Sequence, residues 1–331
     1  MKILAIETSC DDTSVSLVNI AKGRVTVLSE VVSSQVNIHA KYGGVVPEVA
    51  ARKHIENIGP ILKAVLAKHP AQSIDRVAVT AGPGLITSLL IGVETAKTLA
   101  YAWDKPIVGI NHLEGHILSC LIDSGKPRFP AIALVVSGGH TLLVLVTRIG
   151  KYSIIGQTQD DAAGEAFDKV ARLLKLGYPG GPIIEKLARK GNPTAFDLPR
   201  PMLEQKNFDL SFAGLKTAVL YLYRDGKIPR GKINDLCASF QQATVDVLVS
   251  KTIKAARKYN AKSVMLAGGV AANQQLRSAL SQQVKKDLGC PFHVPKAKHS
   301  TDNATMVAVA GYCHKPIHWS KIKADPNLEL K

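Results

Sequence analysis

Two histidines one helical turn apart carry the clearest potential for chemistry in this sequence. Residues 111–116 read Asn-His-Leu-Glu-Gly-His and follow a short apolar run that predicts a strand. Asn111 is a favourable N-cap, and Glu114 three residues later completes the spacing of a capping box. A helix that begins here places His112 and His116 on one face. Two neutral imidazoles in this arrangement supply half of a divalent-metal site.

A zinc protease is the first alternative, because its metal-binding helix also carries histidines at i and i+4. In the protease motif a glutamate directly follows the first histidine and reaches the metal-bound water. Here Glu114 stands two positions after His112, about 200° around the helix, so we expect it to serve the cap. A chance pair in a chain with ten histidines is the other alternative.

A third ligand from elsewhere in the chain would favour the metal site. The polar turn Ser300-Thr301-Asp302-Asn303 precedes an apolar, small-residue run that predicts the last helix, at about 302–313. We predict that this helix packs back and brings Asp302 within bonding reach of both imidazoles. Two histidines and one carboxylate leave coordination positions open, as a catalytic metal requires. The set suits one ion of Fe(II) or Zn(II).

The charge of the chain favours a polyanionic partner. The net charge is +16 with a pI near 9.6, which is typical of proteins that bind nucleic acid, although a generally basic proteome is the alternative. Basic residues cluster locally at 251–262 and 285–298. Aromatic residues make up only 5%, which argues against a protein that binds single strands by base stacking.

The cysteines and the apolar segments favour a cytoplasmic protein. The cysteines are scattered, odd in number and without a Cys-x-x-Cys pair, which indicates a reducing compartment with neither disulfides nor structural zinc. The N-terminal apolar run is too short for a signal peptide, and no apolar run approaches the length of a membrane span. The cysteines are Cys10, Cys120, Cys237, Cys290 and Cys313.

A repeated pattern predicts an α/β protein with two similar domains. Residues 2–32 predict a strand, a polar corner and two further strands, and residues 131–158 repeat this order with a Ser-Gly-Gly-His-Thr corner. Such an internal duplication predicts two domains, which we place at 1–128 and 129–331. Gly-rich corners at 82–85 and 268–273 are suited to an anion or an adenosine. Residues 315–331 predict a loose basic tail.

The order of these elements resembles the actin/sugar-kinase/Hsp70 (ASKHA) superfamily, in which two duplicated domains clamp a nucleotide in an interdomain cleft. Within it, the specific motifs resemble the TsaD family, formerly called Gcp, in its bacterial-type branch, over nearly all of residues 1–313. The motifs that carry the resemblance are ETSCDDT at 7–13, HAKYGGVVPE at 39–48, GPGL at 82–85, NHLEGH at 111–116, VSGGHT at 136–141, GEAFDK at 164–169, YPGGP at 178–182, GLKT at 214–217, GGVAAN at 268–273 and TDN at 301–303.

The resemblance implies an activity and a set of site residues. The family comprises tRNA N6-adenosine threonylcarbamoyltransferases, which transfer a threonylcarbamoyl group from threonylcarbamoyl-AMP to adenosine 37 of tRNAs reading ANN codons. It implies Asp11 as a catalytic group and His112, His116 and Asp302 as metal ligands. The contacts that it implies for the adenylate substrate are Val135, Val136, Ser137, Gly138, Gly139, Asp168, Gly181 and Asn273.

The resemblance also implies partners and shows three departures. The expected partners are tRNA, which would account for the positive charge, and companion proteins of the TsaB and TsaE type; no membrane is involved. Ser300 stands where a Cys is common, Ala213 where a Ser is common, and Glu185 where many members have Asp. We expect the loss of the Ala213 hydroxyl to remove a contact near the tRNA face, and we leave Glu185 out of the site.

Two other functions on the same fold remain as alternatives. A non-catalytic nucleotide-binding scaffold is one, but it should lack the metal ligands. A small-molecule kinase or ATPase is the other, and it would hold Mg²⁺ with carboxylates and water rather than with an imidazole pair.

Overall fold

A computed structural model describes residues 1–331 and divides them into two compact units. The first unit comprises Met1–Gly125 and Pro295–Lys331, and the second comprises Lys126–Val294. Each unit contains one five-stranded mixed sheet. None of the helices is long and apolar enough to span a membrane.

The sheet of the first unit has the order β3-β2-β1-β4-β5. The first three strands are antiparallel, whereas β4 and β5 run parallel to β1. Strands β1 and β4 are buried over almost their whole length, because helices cover this sheet. The elements are β1 (Lys2–Glu7), β2 (Thr13–Ala21), β3 (Arg24–Ser33), α1 (Val36–His39), α2 (Pro47–Leu66), β4 (Arg76–Gly82), α3 (Ile86–Ala102), β5 (Ile107–Asn111) and α4 (His112–Asp123).

The sheet of the second unit repeats this topology in the order β10-β9-β6-β7-β8. Strands β6, β7 and β8 are antiparallel, and β9 and β10 are parallel to β6. The repeated strand-corner-strand pattern of the sequence is therefore a repeated sheet. The elements are β6 (Ala131–Val136), β7 (Thr141–Arg148), β8 (Lys151–Gln157), α5 (Ala163–Leu173), α6 (Gly180–Ala188), α7 (Ala213–Arg224), α8 (Ile233–Lys258), β9 (Ser263–Ala267), α9 (Gln274–Asp287) and β10 (Phe292–His293).

The chain returns to the first unit after residue 294 and ends with helix α10 (Ala304–Cys313). Small residues allow α10 to pack closely. A Cβ added to Gly311 would lie 2.7 Å from the Cβ of Ala78. Arg76 donates hydrogen bonds to the carbonyls of Gly311 (2.7 Å) and His314 (2.8 Å), which satisfies two carbonyls at the end of the helix. The first unit thus includes 295–331, in contrast to the predicted domains 1–128 and 129–331. The reason is that α10 packs against the sheet of the first unit, where Gly311 lies close to Ala78.

The prediction of a loose tail at 315–331 is wrong. The amide of Ile317 bonds to the carbonyl of Ile107 (3.0 Å), and the amide of Asp325 bonds to the carbonyl of Ala81 (2.8 Å). Ile322 is only 3% exposed and belongs to the apolar core of the first unit. Because lysines separate these apolar residues, the sequence of this segment contains no apolar run that would predict its packing.

Helix α7 was not predicted, because its capping group is distant in sequence. The carboxylate of Asp160 accepts hydrogen bonds from the amides of Phe212 (2.7 Å) and Ala213 (3.2 Å). The helix also contains Val219, Tyr221 and other residues of modest helix propensity. Tertiary contacts therefore specify this helix more than its local sequence does.

The burial of Ile322 predicts that the C-terminal segment stabilises the first unit. Ile322→Ala should lower the free energy of unfolding by about 2–5 kcal/mol, because it removes buried methyl groups and leaves a cavity. The neighbouring exposed side chain provides a control, and Lys323→Ala should change stability by less than about 0.5 kcal/mol. Urea unfolding of both variants measures the difference, and equal stabilities would refute the packing of the tail.

Candidate functional site: a His-His-Asp cluster and an open glycine corner

The structure brings His112, His116 and Asp302 together in the first unit. The Oδ1 atom of Asp302 lies 3.1 Å from Nε2 of His116 and 3.7 Å from Nε2 of His112. Both imidazoles are buried, whereas the Asp302 side chain is 24% exposed. One side of the cluster is therefore accessible, as a site that receives a substrate requires.

Helix N-termini position all three side chains. Asn111 caps α4, and its Oδ1 accepts hydrogen bonds from the amides of Leu113 (2.9 Å) and Glu114 (3.3 Å). Asn303 caps α10 by accepting a hydrogen bond from the amide of Met306 (2.9 Å). The histidines thus lie in the first turns of α4, and Asp302 directly precedes the cap of α10.

A fully buried glutamate orients His112. Oε2 of Glu7 lies 3.1 Å from Nδ1 of His112 and accepts a hydrogen bond from Oγ1 of Thr80 (2.6 Å). Burial alone would raise the pKa of Glu7, but the facing imidazole and the Thr80 hydroxyl hold it below its ordinary value. Burial would lower the pKa of His112, whereas Glu7 and Asp302 raise it to about 9. A carboxylate on Nδ1 leaves Nε2 directed at the cluster.

The sequence interpretation missed Glu7. Its signal is a carboxylate at the end of an apolar strand, Lys2–Glu7, where it ought to be paired because burial of an isolated charge is costly. The partner comes from 105 residues further along the chain, so spacing alone does not reveal it.

The environment of His116 fits a bound metal. Neither ring nitrogen forms a hydrogen bond, although the residue is fully buried and Nε2 lies 3.1 Å from Oδ1 of Asp302. A buried polar group without a partner needs an explanation, and a ligand is one. Donors that bind a metal at about 2.1 Å lie roughly 3.0–3.4 Å apart, and the separations of 3.1 and 3.7 Å come close to this range. The three residues could therefore hold one divalent cation.

Two carboxylate–imidazole pairs connect α4 to the segment that carries Asp302. Oε2 of Glu114 lies 2.8 Å from Nε2 of His314, so its carboxylate reaches the end of α10. Oδ2 of Asp123 lies 2.8 Å from Nδ1 of His299. These contacts lie at the two ends of α4 and fix the distance between its histidines and Asp302.

The acidic corner of the first unit lies near the cluster. Burial raises the pKa of Asp11 above its ordinary value, and the negative charge of Asp302 adds to this effect. Burial, with Asp302 and Asp11 nearby, raises the pKa of Asp12 to about 7. Burial and Asp11 also raise the pKa of the Cys10 thiol, which disfavours a thiolate nucleophile.

A buried histidine of α2 anchors this corner. Nδ1 of His54 lies 2.7 Å from Oγ1 of Thr13, and Nε2 lies 3.0 Å from the carbonyl of Cys10. The backbone that presents Asp11 is therefore held in place from the helical layer.

The glycine corner of the second unit is a rigid, open turn. It follows Val135 and Val136 at the end of β6, both fully buried. The amide of Ser137 bonds to the carbonyl of His140 (2.8 Å), and Oγ of Ser137 accepts from the amide of His140 (3.0 Å). A Cβ added to Gly138 or Gly139 would meet no atom within 4 Å. Backbone amides of such a turn are accessible to an anion.

The other substrate contacts implied for the second unit form helix caps. Oδ1 of Asp168 accepts a hydrogen bond from the amide of Gly180 (2.7 Å) at the start of α6, and burial raises its pKa. The next residue, Gly181, has open space around it. Oδ1 of Asn273 accepts from the amide of Leu276 (2.9 Å), and Nδ2 donates to Gln241 (2.7 Å). Both polar ends of the Asn273 side chain are therefore used within the protein.

Glu185 lies beside Asn273 at the start of α9, although the sequence interpretation left it out of the site. Its Oε1 accepts hydrogen bonds from the amide of Gln274 (3.1 Å) and from Arg189 (2.8 Å). The carboxylate therefore lies beside the start of α9, next to Asn273. The departure from Asp to Glu at this position retains a carboxylate at the corner.

The strand order and directions of the two sheets define the class of protein. Each unit has three antiparallel strands followed by two parallel ones, and the chain has the ASKHA fold. The structure is similar to HypF of T. kodakarensis, with a TM-score of 0.64 and 13% identity over 94% of this chain and 48% of that one. It is also similar to full-length HypF in a phosphate- and nucleotide-bound form (TM-score 0.59, 14% identity, 94% and 54%). The chain spans about half the length of each, and the likeness shows the fold alone.

Sequence comparison then shows the family. Residues 26–309 match the family model "TsaD: tRNA N6-adenosine threonylcarbamoyltransferase". The chain is 48% identical over 333 residues to the protein of that name from Ralstonia pickettii, covering 98% of this chain and 93% of that protein. It is 50% identical over 315 residues to the one from Geotalea uraniireducens, covering 94% and 90%. The chain belongs to the TsaD family of transferases, which confirms the resemblance found in its motifs.

The pair between Asp123 and His299 predicts a pH-dependent contribution to stability. Burial raises the pKa of Asp123, but the bonds from His299 and the amide of Lys296 outweigh this effect and lower it. A carboxyl with a lowered pKa in the folded state stabilises the protein above its unfolded pKa of about 3.9, and the contribution is lost as pH falls through the folded value. Asp123→Asn should therefore cost about 1–3 kcal/mol at neutral pH, and less below about pH 4.

Urea unfolding at several pH values measures this difference. The control is Glu94→Gln, which breaks an exposed ion pair with Lys97 and should cost less than about 1 kcal/mol. A difference between parent and Asp123→Asn that stays constant from neutral to acidic pH would contradict the assignment.

Proposed function

We propose that this protein transfers the threonylcarbamoyl group of threonylcarbamoyl-AMP to N6 of adenosine 37 in tRNAs that read ANN codons. Family membership supports the reaction class. The single structural observation that carries the proposal is the partly accessible cluster of His112, His116 and Asp302. A scaffold without catalytic function would have no need of such a cluster.

One divalent metal per subunit is part of this proposal, with Fe(II) favoured over Zn(II). His112, His116 and Asp302 would hold it. When bound, the metal supplies a positive charge that positions and polarises the oxygen atoms of the donor. Glu7 keeps Nε2 of His112 available as a ligand atom, since it occupies Nδ1.

The residues of the glycine corner are proposed to bind the adenylate part of the donor. The amides of Gly138 and Gly139 would donate hydrogen bonds to the negatively charged phosphate. Val135, Val136 and Ser137 would maintain the conformation of the turn. Gly181 leaves room for the nucleoside. Asp168 and Asn273 would act through the helix caps that they form, and we add Glu185 as a neighbour of the ribose.

The proposed chemistry is a carbamoyl transfer. The N6 amine attacks the carbamoyl carbon, a nitrogen–carbon bond forms, and the bond from that carbon to the phosphate oxygen breaks, which releases AMP. The nitrogen loses one proton. Asp11 is the proposed acceptor of that proton, since burial raises its pKa and makes it a better base. Orientation of a weak amine nucleophile supplies much of the remaining acceleration.

The proposed setting is cytoplasmic, where tRNA is available. Companion proteins of the TsaB and TsaE type are proposed partners, because the family resemblance implies them. The net charge of +16 supports binding to the tRNA backbone. The assay that tests the function is incubation of unmodified tRNA with the donor, the protein and these companions, followed by nucleoside analysis. Absence of the modified adenosine would refute the proposal.

Asp11 tests whether proton chemistry accompanies positioning. Asp11→Asn should retain the fold and the affinity for AMP but lower the transfer rate by roughly a hundredfold or more. The unaffected AMP affinity serves as the internal control. A variant that transfers nearly as fast as the parent would show that Asp11 has only a structural role in the corner.

Gly139→Ala tests whether the glycine corner binds the phosphate, and it should not disturb the fold. The added methyl meets no atom within 4 Å, so thermal stability should be unchanged. The methyl would nevertheless occupy the space proposed for the phosphate, and AMP should bind at least about tenfold more weakly, because it loses about 1–2 kcal/mol of backbone hydrogen bonding. Gly59→Ala in α2, which also has open space, is the matched control. Equal AMP affinity in both variants would place the phosphate elsewhere.

A further inference from the structure

The end of α7 and the loop after it form a surface that the proposed chemistry does not use. We name residues 220–232 the α7 platform. Three large side chains here point to solvent: Leu220 and Tyr223 are each 39% exposed, and Tyr221 is 51% exposed. Neighbouring exposed aromatic residues are uncommon on a protein surface and mark a site of interaction.

The α7 platform is also strongly basic. Four cationic side chains and the single carboxylate of Asp225 give a net charge of +3 over thirteen residues, about five times the average charge density of the chain. All four cations are exposed. The cationic residues are Arg224, Lys227, Arg230 and Lys232.

The contacts among these residues leave the charges available. The guanidinium of Arg224 lies 4.8 Å from the ring centre of Tyr221. Arg224 and Lys227 share the carboxylate of Asp225, at 2.9 and 3.4 Å. Water and salt screen exposed pairs of this kind, so they contribute little to stability, and a phosphate group can replace the carboxylate.

The basic cluster that the sequence suggests at 251–262 is different, because three of its cations make hydrogen bonds or ion pairs within the protein. Lys251 is fully buried and donates to the carbonyl of Asn207 (2.7 Å). Lys254 donates to the carbonyl of Leu203 (2.8 Å), and Arg257 pairs with Asp287. The cations of the platform, in contrast, pair only with carboxylates of the surface: Arg224 and Lys227 with Asp225, and Lys232 with Asp235 (2.9 Å). The platform thus combines two exposed tyrosines with exposed cations.

We propose that the α7 platform binds tRNA. The chain as a whole is poor in aromatic residues, but two exposed tyrosines are concentrated here. Their faces stack on unpaired bases, and Arg224, Lys227 and Arg230 contact the phosphates that flank them. Interleaved aromatic and cationic side chains are typical of surfaces that bind unpaired nucleotides. The core of a protein–protein interface also concentrates tyrosine and arginine, but it is depleted of lysine, and Lys227 and Lys232 are two of the four cations here. The inference rests on the proposed function in one respect, namely that tRNA is the acceptor.

Charge reversal on the platform tests the phosphate contacts. The measured quantity is the affinity of the full-length protein for an unmodified tRNA transcript at several salt concentrations. The double variant Lys227→Glu with Arg230→Glu should bind at least about tenfold more weakly, and the slope of log affinity against log salt should fall in magnitude by about 1–2. The matched control is Lys285→Glu with Lys286→Glu on α9, two exposed lysines of the same unit, which should bind within about twofold of the parent.

A conservative pair of substitutions tests the stacking. Tyr221→Leu keeps an apolar side chain but loses the aromatic face, and it should weaken tRNA binding by roughly five- to a hundredfold. Tyr221→Phe keeps that face and should bind like the parent. Circular dichroism and thermal unfolding should show the same fold in every variant, because the side chains are exposed.

Three outcomes would overturn the proposal: platform variants that bind tRNA like the parent, a loss no larger than that of the α9 control, or equal affinities for Tyr221→Leu and Tyr221→Phe. Platform variants that no longer bind a companion protein but keep their affinity for tRNA would also overturn it, because the surface would then be a protein–protein interface. A parent that binds tRNA through the platform but forms no modified adenosine would support the surface and refute the proposed function.

Discussion

The packing of the C-terminal segment against α4 is the constraint on which the candidate metal site depends. His112 and His116 belong to one helix, but Asp302 reaches them only because residues 295–331 return to the first unit. Pairs at both ends of α4, Glu114 with His314 and Asp123 with His299, hold this arrangement. A site with open coordination positions needs such support, since its ligands are otherwise free to reorient.

The two units share one topology, but the corners after β1 and β6 differ in their electrostatic character. The corner after β1 carries carboxylates, whereas the corresponding corner after β6 carries Gly138 and Gly139. Backbone amides at an open glycine turn attract anions. Carboxylates with raised pKa values, such as Asp11, are suited to receiving a proton or an amine. The two corresponding corners therefore differ in electrostatic character, with carboxylates in the first unit and open backbone amides in the second.

Local periodicity and motifs revealed much of this fold. Helix α10 spans Ala304–Cys313, close to the range of about 302–313 that its small-residue run predicts, and both sheets follow the strand-corner-strand pattern. What the sequence could not reveal depends on contacts between distant residues. Glu7 finds its imidazole partner across 105 positions, and Asp160 caps α7 across about fifty. The inclusion of 295–331 in the first unit also depends on distant contacts, because a uniformly apolar helix such as α10 does not indicate which sheet it covers.

Titration with metal ions shows whether His112, His116 and Asp302 form one divalent-metal site. Protein freed of metal with a chelator is titrated with Fe(II) without oxygen, and separately with Zn(II), beside the variant Asp302→Ala. We expect one ion per chain in the parent, with Asp302→Ala binding at least about tenfold more weakly because one of three ligands is lost. Anomalous scattering should place that ion between the two imidazoles and Asp302. Equal affinity in parent and variant, or an ion bound at other residues, would show that these three side chains do not form the metal site.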